Sequence, residues 1–337
     1  MPISVASPTL KEKQEYTTRE LRREDLPEIL ELLHTVNRVD DNDYYQALED
    51  LEREYADPRS NPNTDARIFR NLVGRLVAFA RVFVTRNPTK ENIAYLSCEI
   101  APEARAQGLE QECIEWMEER AAECLAETAQ ADGADALPRA MRVDFPETSP
   151  FRPFYQARGF ESTRASYSMA RALHEPIPEN SLPPDLVLVE YTKDLDDAVR
   201  LACNEAFRDH WGHQDASSET WETGVSEVSD LRRDLSLVVM DGDEIAAFCI
   251  NYENTVDNEL RGTKRGWIGI LGTRRQWRKR GIASALLAES MRRFQSIGFD
   301  SVALGVDTEN LSGALALYEN LGFKAYSTRV VMEKPVS

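Results

Sequence analysis

"RRQWRKRGIASALLAES", residues 274–290, places five arginines and lysines in its first seven positions, inside a chain whose formal net charge at pH 7 is -18. The basic run ends at Gly281. Behind it, Ile282, Leu286, Phe294 and Ile297 fall on one helical face, and Gly298 suits the left-handed position that closes a helix. Ahead of it, "GWIGILGT" reads as a strand. A strand, a turn with a small residue and a helix start together form a geometry that binds phosphate. The first helical turn leaves several backbone N–H groups without partners, and the macrodipole adds roughly half a positive charge there. Gly281 would let the backbone approach an anion closely, Ala283 keeps the next inward position free of bulk, and Arg278, Lys279 and Arg280 supply mobile countercharge. The plain alternative is a solvated basic face or a K/R-rich localisation patch. The flanking strand and the apolar-striped helix weigh against it.

Outward from this stretch, the second half alternates strands and helices. It opens with a strand at "LVLVEY", a helix from Leu195 to Phe207 and a helical stretch around Thr220 to Leu231. A hairpin follows across "LSLVVMDGDEIAAFCINYE", turning at Asp241 and Gly242. After the basic turn come the helix from Gly281 to Ile297, a strand at "SVALGVD", a helix from Leu311 to Asn320 and a last strand near "TRVVMEK". The class is α/β, a mixed α+β sheet of about seven strands with helices on both faces.

The first half repeats this pattern faintly. "FYQARGF" (154–160) matches "LYENLGF" (317–323), and "ARAQGLEQECIEWM" (104–117) matches "WRKRGIASALLAES" (277–290). Gly108 precedes Tyr155 by 47 residues and Gly281 precedes Tyr318 by 37, so the order is kept and the extra ten fall in a loop around "ADGADALPRA". Two diverged copies of one domain explain this; two unrelated α/β domains with coincidental endings are the alternative. "HEPIPENSLPPD" (174–185), with four prolines, reads as a stiff extended linker. The expected layout is therefore a first domain over 1–175, a Pro-rich linker over 176–185 and a second domain over 186–337, in keeping with a length of 337 residues.

Composition narrows the function classes. Hydrophobic content of 42% and charged content of 29% are globular values. No apolar run reaches the length of a membrane span, and residues 1–16 carry no secretory signal pattern. Cys98, Cys113, Cys124, Cys203 and Cys249 form no CxxC pair, which suits free thiols in a reducing, cytoplasmic setting. With 58 acidic against 40 basic residues, the chain's field repels nucleic acid and anionic lipid and draws cations. Amines are the favoured partners; nucleic acid and membrane are not expected.

The "R-x-x-G-x-A" of Arg278, Gly281 and Ala283, set between "WIGILGT" and "NLSGALALYENLGF", closely resembles motif A and the motif that follows it in the GNAT superfamily of acyl-CoA N-acyltransferases. The resemblance covers residues 186–337 and, weakly, the first half, so it implies two tandem GNAT folds. Tandem two-domain members of the superfamily, mycothiol synthase among them, are similar in layout. It further implies that backbone N–H groups across Arg278, Lys279, Arg280, Gly281, Ile282, Ala283 and Ser284 hold the coenzyme A pyrophosphate. Leu271, Gly272 and Thr273 would pair with the pantetheine arm and orient the thioester carbonyl, and Asn310 would contact the pantetheine. Tyr318 matches the tyrosine that protonates the departing thiolate; a plain core tyrosine is the alternative.

The general base departs from the family pattern. Many members carry a Glu nine residues ahead of the position of Arg278, where this chain has Gly269. Glu253, His210 and His213 are the candidates. The two histidines lack further ligands at a useful spacing, so no metal is expected. In the first copy Glu110 stands where the second has Ala283; a carboxylate there would repel a pyrophosphate and neutralise the helix dipole itself, so this domain is expected to bind no acyl-CoA and to brace the other. The implied activity is transfer of acetyl from acetyl-CoA, the cosubstrate, to a primary amine of a small molecule by direct attack in a ternary complex. Mycothiol synthesis and a non-catalytic acetyl-CoA-binding regulatory role are the alternatives.

Overall fold

β-branched runs on either side of Asp241 and Gly242 can only pair if the chain reverses tightly, and Gly242 takes φ 58 to allow it. The computed structural model describes residues 16–42, 44–57, 61–85, 88–134, 136–309 and 313–336. The first half runs β1 (Thr17–Glu20), α1 (Leu26–Asp40), α2 (Leu48–Ala56), α3 (Pro62–Asp65), β2 (Ala66–Arg70), β3 (Leu76–Val84), β4 (Asn92–Ile100), α4 (Leu109–Asp132), β5 (Arg139–Pro146), α5 (Arg152–Ala157) and β6 (Glu161–Ala172). The second runs β7 (Val187–Glu190), α6 (Asp196–Phe207), α7 (Ser218–Trp221), β8 (Leu237–Asp241), β9 (Glu244–Tyr252), α8 (Thr255–Arg261), β10 (Arg265–Thr273), α9 (Ile282–Ser296), β11 (Ser301–Asp307), α10 (Ala314–Asn320) and β12 (Lys324–Val336).

All twelve strands form one mixed sheet in the order β1-β2-β3-β4-β5-β12-β6-β11-β10-β9-β8-β7. The order is symmetric when each strand of one half is exchanged for its counterpart six places on. Neither half closes its own sheet: β12 lies against β5 from Arg329–Pro146 to Val336–Arg139, and β6 lies against β11 from Ser301–Ala172 to Asp307–Ser166. The two exchanged strands then pair with each other at the centre.

Each half packs a core on this sheet, and each core also takes residues from the strand the other half lends, Val330 and Met332 in the first and Met169, with Leu173 just past the strand, in the second. α1 and α4 bury Ile29, Val36, Leu109, Met117 and Leu125 in the first. In the second, α9 covers one face with Leu286, Leu287, Met291 and Phe294, while α6 covers the other with Val199, Ala202 and Cys203. The proline-rich segment is not a free spacer: Ile177 and Leu182 pack on the second core, and Arg292 of α9 donates to Pro178 O. The helical stretch around Thr220 shortens to α7 plus one wide turn ending at Ser226, and α8 was not anticipated because its polar sequence has no apolar stripe.

Candidate functional site

β10 pairs in parallel with β11 only from Arg265–Ser301 to Ile268–Leu304. A bulge then falls between Ile268 and Ile270, so that Ile268 faces the α9 core and Ile270 the α6 core. Beyond it the two strands separate, while the other edge of β10 stays paired with β9 as far as Thr273–Ala247. Leu271, Gly272 and Thr273 therefore present an edge with no ladder partner on the β11 side among the described residues. Such an edge takes an extended chain as an added strand.

The open edge runs straight into the basic turn. Lys279 at φ 63 and Gly281 at φ 77 are both left-handed, and α9 starts at Ile282 with no side chain capping it. Arg278 to Gly281 are exposed at a helix amino terminus, and of these amides the Arg278 N–H donates to Arg275 O. A Cβ on Gly281 would meet nothing within 4 Å, so its backbone angle, not crowding, calls for glycine.

The cations are less mobile than the sequence suggested. Arg274 pairs with Glu205, Arg275 with Asp209 and Arg280 with Asp185. Among the described residues Arg278 has no carboxylate partner, but its guanidinium donates to Thr273 O at 3.1 Å and Ala206 O at 2.8 Å, which clamps the end of β10 to the end of α6. Among the described residues Lys279 alone in the run has no ion pair or clamp.

Tyr318 projects from α10 and is 8% exposed, packed edge-on against Phe323 at 6.0 Å. Burial pushes its phenol up to about 12, so the hydroxyl keeps its proton at neutral pH. The loop after α6 carries His210, whose imidazole is held below its ordinary range by burial and by the Arg278 and Arg164 charges, against the opposing pull of Asp307. His213 is likewise lowered, mainly by burial. This loop is pinned by the first half: Lys90 donates to Arg208 O, Thr89 N–H to the Gln214 side chain, and Trp211 lies between Arg142 (4.4 Å) and Arg164 (5.5 Å).

Glu253 is not brought to the turn. It follows Tyr252, which sits opposite Trp267, roughly 20 Å of strand from Thr273, and its carboxylate pairs with Arg232. Asn310 lies outside the described residues. At Gly269, where a Glu was missing, the structure supplies the reason: an added Cβ would lie 2.4 Å from the Tyr252 ring. Neither that ring nor the Arg142–Trp211 contact has a local sequence signal, because both depend on pairing between distant strands. Among the described residues no group of three His, Cys, Asp or Glu is arranged to hold a metal, and no helix is long and apolar enough to cross a membrane.

Residues 197–323 match the model of the acetyltransferase (GNAT) family. The carboxy-terminal half contains a GNAT acetyltransferase domain. A mycothiol acetyltransferase of Salinispora arenicola is 31% identical over 180 residues, 51% of this chain and 55% of that protein. A second, from Renibacterium salmoninarum, is 27% identical over 52% of each chain. The chain thus spans about half the length of the curated relatives it matches. In fold, a GCN5-related N-acetyltransferase from Sphaerobacter thermophilus has a TM-score of 0.73 at 24% identity and covers 97% of both chains. A tandem GNAT protein from the clavulanic acid biosynthesis pathway has a TM-score of 0.66 at 14% identity, covering 95% of this chain and 98% of its own. The architecture is that of two tandem GNAT folds.

In that frame the amino-terminal GNAT fold repeats the site with altered chemistry. β4 and β5 pair only from Asn92–Arg139 to Tyr95–Arg142, then part as β10 and β11 do. Ala106 (φ 58) and Gly108 (φ 90) reproduce the left-handed pair of the basic turn, and Arg105 donates to Ile100 O as Arg278 does to Thr273 O. The turn, however, is satisfied from within. Glu110, 3% exposed, accepts the Ala106 N–H at 2.5 Å, and Arg105 is locked by two 2.7 Å bonds to Asp40.

Proposed function

We propose that the protein transfers an acetyl group from acetyl-CoA to a primary amine of a small molecule, by direct attack in a ternary complex, and that the carboxy-terminal GNAT domain does the chemistry. The observation that carries this reading is the continuity of an unpaired β10 edge with an uncapped, exposed helix start. The backbone of Leu271 to Thr273 suits the pantetheine arm, and the amides from Arg278 to Ser284 suit the pyrophosphate. Acetyl-CoA supplies an activated thioester carbonyl. The chain supplies the rest: Lys279 offers an unpaired charge beside the turn, and Arg278 holds the turn in shape.

Two proton movements are needed. The acceptor ammonium must lose a proton before its nitrogen can attack, and His210 is the better base than Glu253, since burial keeps its imidazole neutral while Glu253 is bound by Arg232. The departing sulfur must gain a proton, and the Tyr318 hydroxyl holds one. The amino-terminal half would act as a brace, gripping the His210 loop through Lys90, Thr89 and Arg142.

Acetyl-CoA consumption across an amine panel tests the activity, with no turnover on any amine counting against it. Tyr318→Phe should lower kcat by about 10²-fold or more with acetyl-CoA affinity kept; an unchanged kcat removes the acid role. A second reading for the acceptor comes from the mycothiol acetyltransferases among the relatives. Turnover of desacetyl-mycothiol well above simple amines would favour it.

A further inference from the structure

The parted strands β4 and β5 of the amino-terminal half enclose a cavity of about 290 Å³. Leu96, Val143, Phe145 and Phe151 give it apolar walls, and Glu99 of β4 lines it. The volume falls near the lower limit for small-molecule sites.

Charge accounting around the cavity leaves one carboxylate over. Asp40 on α1 is held by Arg105, Asp144 on β5 by Arg329 of β12, and Arg81 on β3 by Glu54 of α2. Glu99, half-buried among them, has no hydrogen bond or ion pair among the described residues. Its neighbour Cys98, a free thiol like Cys113, is pushed well above the ordinary thiol range by the nearby Cys113 thiol and by burial, and stays neutral. Burial, with the Asp40 charge adding to it and Arg81, Arg105 and Arg329 opposing, raises the Glu99 carboxyl to about 7. A half-buried carboxylate without a partner is costly in its ionised form, and a bound cation would favour that form.

The same position in the carboxy-terminal half, six residues before the arginine of the turn, is Gly272. There the cleft offers a bare strand edge and free amides; here it offers a carboxylate, with the turn's amide taken by Glu110. In the carboxy-terminal half the Phe248 ring lies 2.3 Å from where a Cβ on Gly272 would stand, whereas here Glu99 lines open space, so the amino-terminal cleft is open where the other is filled and its electrostatic preference is reversed. We propose that it is a binding site for a small organic cation, a monovalent ammonium with a compact apolar body, whose charge pairs with Glu99 while the body lies between Phe145 and Phe151.

Calorimetric titration of the full-length protein with benzylammonium chloride, without acetyl-CoA, tests this. Saturable binding is expected. Glu99→Gln should weaken it about tenfold or more, and neutral benzyl alcohol should bind weaker by a similar factor. Affinity should rise from pH 6 to pH 8 as Glu99 ionises. Glu99→Gln removes an unpaired charge and should fold; Thr148→Trp, at the exposed rim, blocks the mouth independently and should also abolish binding. Absence of binding to the wild-type protein, or equal binding by wild type and both variants, overturns the proposal. Acetyl-CoA should still bind one per chain in Glu99→Gln, which separates this site from the carboxy-terminal one.

Discussion

His210 joins a sequence expectation to a physical condition. A base must be neutral before it can act, and burial together with the Arg278 and Arg164 charges favours the neutral ring. For a histidine whose folded value lies below the ordinary 6.5, activity should rise as pH climbs through that lowered value and stay flat above it. His210→Gln should cost about 10²-fold in kcat and remove the acidic limb of the kcat/KM profile. A profile that keeps its acidic limb in the variant would place the base elsewhere. The sequence made this residue a candidate through its segment, but it ranked Glu253 beside it, since nothing in "NYEN" reveals that Arg232 reaches that carboxylate. Gly269 illustrates the same limit: the missing Glu was visible, whereas the Tyr252 ring that fills its space belongs to another strand.

The turn before α9 was the most legible element, because its requirements are local. A positive φ at Gly281 and an unobstructed helix start are written in neighbouring residues. Forcing a β-branched side chain into a left-handed conformation costs about 1–2 kcal/mol, and at Gly281 it would also crowd the mouth of the turn. Gly281→Val should therefore lower both thermal stability and acetyl-CoA affinity. Gly108→Val offers the matched control, with φ 90 and equally open surroundings. It should lose comparable stability while leaving acetyl-CoA affinity unchanged, because Glu110 already occupies that turn. Equal losses of affinity in both variants, read by calorimetry, would mean that both turns bind the coenzyme. What lay beyond local reading was the fate of the basic run, where Glu205 at the end of α6, Asp209 just beyond it and Asp185 of the proline-rich segment pin three of its cations.

The repeat announced two copies of one fold, and the strand order binds them in a way that repetition alone does not disclose. β6 and β12 hold equivalent places after the two Gly-Phe pairs, with little sequence in common: eleven residues after Phe160 stands Arg171, and eleven after Phe323 stands Lys334. Each reaches into the opposite half, Arg171 toward Met291 of α9 and Lys334 to Glu118 of α4. A copy that closed its own sheet and a copy that lends its last strand to a neighbour have the same alternation, so no local pattern separates them. The consequence is physical. Residues 186–337 expressed alone would keep β12 but lose both its partners, β5 and β6, and would expose the β11 edge along Ser301–Asp307. An unpaired edge beside a buried core favours aggregation over cooperative folding. The isolated fragment should therefore run as aggregates in size-exclusion chromatography and lack a sharp thermal transition, whereas co-expression with residues 1–185 should restore a soluble heterodimer that binds acetyl-CoA. A fragment that is monomeric and melts like the full chain would mean that the exchanged strands add little, and that the two folds are joined only in name.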